Sequence, residues 1–345
     1  VARAEQSQAD LRVRIACGRA LGLLGDPRLE RREGPAGPYL LPPMVALPAA
    51  SYAIGSDDPD AAEDARPGHP LHLAAFRLGR FAVTNAEWRC FMTAGGYDEP
   101  AWWPSAEAAE WLAGGPITAE GWRHNWRQWW QRFQERPERL ESMGAAGQLS
   151  KAQLELWREL CALAERALED YLADRFRPQK RRRPRWWSED GGDLSSPVVG
   201  LTFYEARAYC LWLGAQSGRS FRLPSEAEWE AAAQDLPGED DPAESGDAPA
   251  AGLDLRCNAA AAHLRATTPV GIFPRSRSAR GIDDLRGNSF DWTLSLYGRR
   301  ADRPDWGYPY RPDDGREDPD APAVQLRVAR GGSFVDRGPA LARWY

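Results

Sequence analysis

Sulfur and imidazole are scarce in this 345-residue chain, which has three methionines, five cysteines and four histidines. The cysteines, Cys17, Cys90, Cys161, Cys210 and Cys257, are odd in number and form no CxxC pair. That argues against a disulfide framework and against a thiolate zinc cage, and it fits a reducing compartment. The histidines, His69, His72, His124 and His263, form no HxxxH pair of the kind that sets two imidazoles on one helix face. No apolar run approaches the ~18 residues of a membrane span, and no secretory leader is visible. A Gly-rich phosphate loop and a GxSxG elbow are missing as well. The formal net charge of -6 gives no global pull toward nucleic acid.

What is abundant is tryptophan, sixteen in all. Large flat side chains in that number suit a packed core, or a surface that grips partners through Trp, Tyr and Arg. Trp122, Trp126, Trp129 and Phe133 recur at helical spacing, as do Leu154, Trp157, Cys161, Ala164, Leu168 and Tyr171. The spacing predicts helices near Thr118 to Gln134 and Ser150 to Phe176, joined by RPERLESMGAAGQ, with Trp126, Trp129, Trp157 and Leu168 facing inward. The basic run RPQKRRRPRWW that follows reads as a solvated loop, and nucleic acid is not expected as a partner.

The rest of the chain is mixed. Ala9 to Arg28 reads as a helix stopped by Gly25 and Pro27, and REGPAGPYLLPP as a linker. TNAEWRCFM, TFYEARAYCLWL and SEAEWEAAA each open with Ser or Thr and carry Glu three residues later, the pattern of a capping box. Glu87, Glu205 and Glu228 therefore read as helix starts rather than catalytic acids. In VQLRVARGGSF, Val324, Leu326 and Val328 alternate with Gln325 and Arg327, as in a half-buried strand. Ser333, after two glycines, reads as a turn serine. The expected fold class is α+β. Residues 1–38 form a helical leader and linker, and 39–345 the main domain, with a helical insert at about 104–185.

HPLHLAAFRLGRFAVTNAEWRCFMTAGGY, SPVVGLTFYEARAYCLWLGAQSGRSFRLPSEAEWEAAA, GIDDLRGNSFDWTLSLYG and VARGGSF occur in the order found in formylglycine-generating-enzyme-like (sulfatase-modifying-factor) domains. The chain resembles that family from about residue 45 to its end, the insert excepted. The resemblance implies a C-type lectin-like fold elaborated with loops. In formylglycine generators a cysteine pair after the GGS turn binds copper, a soft ion that needs thiolates. Asp336 and Leu341 stand at those positions, so copper is not expected. An iron-dependent branch holds its metal with three histidines, and the four here lack that ligand spacing. The resemblance also implies structural calcium at Asp284 and Asp291 in DLRGNSFD, where carboxylates and turn carbonyls suit a hard cation.

With the copper and iron ligands gone, the resemblance implies a non-catalytic ligand-binding protein, and the chain is expected not to be an enzyme. Similar domains serve as variable proteins of diversity-generating retroelements, which display a binding face on the stretch after RGGS. Here that face would comprise Asp336, Arg337, Arg343, Trp344 and Tyr345, with the loop residues Trp306 and Tyr308 beside it and Phe334 turned to the core. Its partner would be an unidentified protein or surface ligand. The alternatives are a formylglycine-generating-enzyme-like or iron-dependent oxidoreductase with atypical ligands, or the sensor domain of a signalling protein. The expected location is cytoplasmic, or a cell surface or phage particle if the start at Val1 reflects trimming.

Overall fold

The computed structural model describes residues 1–6, 9–59, 61–114, 116–146, 148–177, 180–188, 192–234, 236, 256–300 and 303–336. They form two compact units, Val1–Trp102 with Arg183–Tyr345, and Trp103–Arg182.

In the first unit, helix α1 (Leu11–Leu24) starts at Asp10, whose carboxylate accepts from the Arg12 N–H at 2.8 Å, and ends at Gly25. Leu11 packs with Ile272 and Phe273, and Arg14 donates to the Ile272 carbonyl at 2.6 Å, so the helix shares the core of this unit. The stretch expected to be a linker is instead a hairpin, β1 (Glu30–Gly34) against β2 (Gly37–Leu41). Gly34 and Gly37 flank a two-residue turn, and Tyr39 and Leu41 alternate into the core, a pattern that the Gly and Pro content obscures. Strands β3 (Met44–Leu47), β4 (Ala50–Ile54), β5 (His69–Leu73) and β6 (Phe76–Gly79) follow. They form two antiparallel pairs, β4 with β5 and β3 with β6. Helix α2 (Asn85–Thr93) opens with the Thr84–Glu87 capping box.

The second unit is helical, with α3 (Ala106–Leu112), α4 (Pro116–Glu135), α5 (Pro137–Ala145), α6 (Lys151–Cys161) and α7 (Glu165–Arg175). Helix α4 covers the first expected helix. The second expected helix is two, broken around Ala162 to Ala164, and the expected connection contains α5, started by Pro137 in its first turn. Phe133, Leu140, Trp157, Leu160, Leu168 and Leu172 form its core, with Trp126 and Trp129 partly buried against it.

Back in the first unit, α8 (Phe203–Ser217) and α9 (Glu226–Ala232) open with the Thr202–Glu205 and Ser225–Glu228 boxes. Trp88 of α2 stacks on Tyr209 of α8 at 5.2 Å between ring centroids, and Phe91 meets Trp212 edge-on at 5.5 Å. Every residue of α9 is buried. Trp229 packs with Leu47, Ile282 and Leu285, while Ala227 and Ala231 pack with Tyr52, Ile54 and Tyr310. The last pair is β7 (Asp291–Gly298) with β8 (Leu326–Arg330).

On β8 the apolar face does not go where the alternation places it. Val324 and Leu326 are 62% and 40% exposed, whereas Arg330 is buried and Arg327 partly so. The β7–β8 register is irregular between Trp292 and Gly298, and a shift by one residue turns a strand's faces over. The architecture is α+β with a helical insertion.

Candidate functional site

Helix α9 places Glu226 and Glu230 one turn apart on the same face. Glu230 is fully buried and receives three donors. The Gly55 N–H reaches Oε1 at 2.7 Å, and the Tyr308 hydroxyl and Arg330 Nη2 reach Oε2 at 2.9 and 3.2 Å. Gly55 has a φ of +78°, and a Cβ there would come within 2.7 Å of the Pro67 carbonyl and 2.8 Å of the Tyr308 ring. Only glycine lets the backbone approach this closely. Arg330 ends β8, just before Gly331 and Gly332, both with positive φ, turn the chain away.

Glu226 differs from Glu230. It is 8% exposed, and Arg330 Nη1 lies 3.7 Å from its Oε1, too far for a hydrogen bond. Among the described residues its carboxylate accepts no hydrogen bond. Burial raises its pKa, while the Arg330 guanidinium pulls the other way. The Tyr308 phenol is pushed well above its usual range by burial, and then by the charges of Glu226 and Glu230.

Beside these groups opens a cavity of about 350 Å³ whose lining includes Asp64, Glu226, Tyr297, Trp306, Tyr308 and Arg330. The Tyr297 hydroxyl donates to Asp64 at 2.9 Å, and the Trp306 indole N–H to the Asp314 carbonyl at 3.2 Å. Behind the wall, His69 Nε2 accepts from the Tyr310 N–H at 2.9 Å, and its Nδ1 lies 3.1 Å from the Pro67 carbonyl. Nδ1 therefore carries the proton, and the lone pair of His69 is already in use. The arrangement offers a space lined by aromatic rings and charged groups, which suits recognition of a small polar molecule.

Of the residues expected at a binding face, Trp306 and Tyr308 line this cavity, both half-buried. Asp336 is half-buried and holds a turn. Its carboxylate accepts from the Ser333 N–H and hydroxyl at 2.8 and 2.5 Å, and its carbonyl from the Ala260 N–H at 3.1 Å, which closes a turn. Phe334 is half-buried. Arg337, Leu341, Arg343, Trp344 and Tyr345 lie outside the described residues.

Asp284 adopts a φ of +60° and its Oδ2 accepts from the Gly271 N–H at 2.6 Å. Burial, with Asp283 next, pushes its pKa up to about 7. Asp291 accepts from the Trp229 indole at 2.9 Å, and burial pushes its pKa up to about 6.

The sequence reading passed over Glu226, Glu230 and Arg330. A signal was present: two glutamates four apart flank Trp229 in a helix otherwise rich in alanine, which puts two charges on a buried face.

Neither a thiolate pair for copper nor a set of three histidines for iron is brought together among the described side chains. The copper positions hold Asp336, occupied by the Ser333 turn, and Leu341. His124 contacts Gln128, His263 is exposed, and His69 is engaged as above. Among the described residues no group of three or more His, Cys, Asp or Glu side chains could hold a metal ion.

A family model described as the sulfatase-modifying factor enzyme 1-like domain matches residues 34–343. The chain belongs to this family. It is 29% identical over 287 residues to the hercynine oxygenase of Mycolicibacterium smegmatis, covering 76% of this chain and 47% of that protein. It is 28% identical over 285 residues to the formylglycine-generating enzyme of Mycobacterium tuberculosis, covering 75% of each. The chain thus spans less than half the length of the hercynine oxygenases it matches. Among solved structures, Treponema denticola variable protein 1 aligns over 92% of both chains at 15% identity and a TM-score of 0.45, too distant to bear on function. The expectation that the chain is not an enzyme is corrected by these relatives, which are named as an oxygenase and a formylglycine-generating enzyme. Among the described residues no helix is long and apolar enough to cross a membrane.

Proposed function

We propose that the chain is the substrate-binding domain of an oxidoreductase akin to the hercynine oxygenases and formylglycine-generating enzymes, with metal ligands arranged differently from either. The C-type lectin-like topology belongs to the same proposal. The observation that carries it is the cavity of about 350 Å³, where Arg330, Glu226 and Tyr308 converge from β8, α9 and the loop after β7. A space of about 300–1,000 Å³ with a few fixed polar groups is typical of small-molecule sites. Buried charges held by neighbours do not need to reorganise when a substrate arrives, and they act strongly away from water. Similarity to two enzymes across three-quarters of the chain supports an oxidative role.

In this reading Arg330 and Glu230 hold the wall rigid, and Tyr308 is fixed by its bond to Glu230. Glu226 and Trp306 meet the substrate. The test is oxygen uptake by the protein with iron(II) or copper(I), against a panel of small amines and thiols, with products identified by mass spectrometry. Substrate-dependent uptake with an oxidised product is expected. Uptake that no panel member stimulates, with either metal, would contradict the reading.

A further inference from the structure

We propose that the cavity takes a protonated primary amine, with the ammonium group bound at Glu226. This deepens the oxidoreductase reading and rests on it for the identity of the site. Two carboxylates on one helix are unequally partnered. Glu230 is satisfied by three donors, whereas Glu226, buried but with 8% of its surface left accessible, lines the cavity and receives no hydrogen bond among the described residues. A buried carboxylate without donors is costly, and a ligand that supplies N–H groups removes that cost.

The other cavity walls fit the same kind of ligand. Asp64 keeps acceptor capacity beyond its bond from Tyr297, and the Tyr308 oxygen, which donates to Glu230, can still accept. Glu226, Asp64 and Tyr308 all line this one cavity as acceptors, and an ammonium head carries three donors on one centre. Of the positive side chains at the cavity, Arg330 makes its closer ion pair with Glu230, at 3.2 Å, and only a long one with Glu226, at 3.7 Å. Arg327 places its guanidinium 3.6 Å over the Phe203 ring while donating to the carbonyls of Leu294 and Asp318. Trp306 and Tyr308 supply aromatic faces that favour a cation and an apolar tail.

The experiment is titration calorimetry of the full chain with phenethylammonium, 2-phenylethanol and phenethyltrimethylammonium. The amine should bind one to one, and the alcohol and the quaternary ammonium, which lack the charge or the N–H groups, at least about tenfold more weakly. Glu226→Gln should lose a similar factor for the amine, with a melting temperature no lower than that of the wild type. Trp306→Leu provides a second variant should Glu226→Gln not fold, and it should also weaken the amine. Equal binding of the alcohol, or unchanged affinity in the variants, overturns the ammonium proposal but leaves the cavity as a substrate site. Binding of none of the three overturns the ammonium proposal, while the oxygen-uptake test of the oxidoreductase reading stands separately.

Discussion

The guanidinium of Arg330 and the carboxylate of Glu230 meet at 3.2 Å, with 3% and 0% of their side chains exposed. Residues a hundred positions apart in sequence thus fasten the end of β8 to α9, and the cavity wall depends on that bond. Arg330→Met should lower stability by about 3–5 kcal/mol, because it leaves Glu230 charged and unpaired in the interior. The double variant Arg330→Met with Glu230→Leu should lose less than the single one. Urea denaturation measures both, and a cost for the single variant below about 1 kcal/mol would show that the pair is not what secures the wall.

The pH dependence of stability should come in part from Glu87. Burial pushes its pKa up to about 7, against donors from Thr84 that pull the other way. The folded state therefore holds this proton more tightly than the unfolded state. The stabilisation is fully present below the ordinary carboxyl pKa and is lost as pH rises through about 7, on the order of 3 kcal/mol in all. The melting temperature should rise as pH falls from about 7.5 to about 5.5, and Glu87→Gln should flatten that slope. An unchanged slope in the variant would assign the effect elsewhere.

Much of the local structure was legible in the sequence. The Ser/Thr-x-x-Glu pattern marked the starts of α2, α8 and α9, because a capping box is closed within four residues. The aromatic period likewise marked α4. The charged residues of the cavity and two parts of the fold were not legible, each for a physical reason. Glu226, Glu230 and Arg330 come together only through tertiary packing, and the helix and strand patterns carry no record of which faces meet. The irregular β7–β8 register turned Leu326 outward, against its alternation. The Gly and Pro residues of the first hairpin carried the same composition as a linker, although their spacing set a two-residue turn.

Calcium at Asp284 and Asp291 is a proposal that a thermal melt tests. In metal-free protein, millimolar calcium should raise the melting temperature, and Asp291→Asn should remove most of the shift. A melt indifferent to calcium and to chelator would leave both carboxylates with the roles they show here, accepting from Gly271 and Trp229.

In the helical unit, Trp157 touches Trp126 at 4.9 Å and Phe133 at 5.2 Å between ring centroids. Trp157→Ala should cost about 3–5 kcal/mol of that unit's stability, through lost burial and the cavity left behind. Near-UV circular dichroism through a denaturant titration reads the loss. A cost below about 1 kcal/mol would place Trp157 at a surface rather than in the core.

The central claim is that substrate meets the protein at Glu226, beside the Arg330–Glu230 pair. It is tested most directly by kcat/KM for a substrate found by oxygen uptake, compared between wild type and Glu226→Gln. The account predicts a loss of at least roughly tenfold with a melting temperature no lower than that of the wild type, because the buried carboxylate is a direct contact. Equal kcat/KM in the two proteins would contradict it and place the site elsewhere.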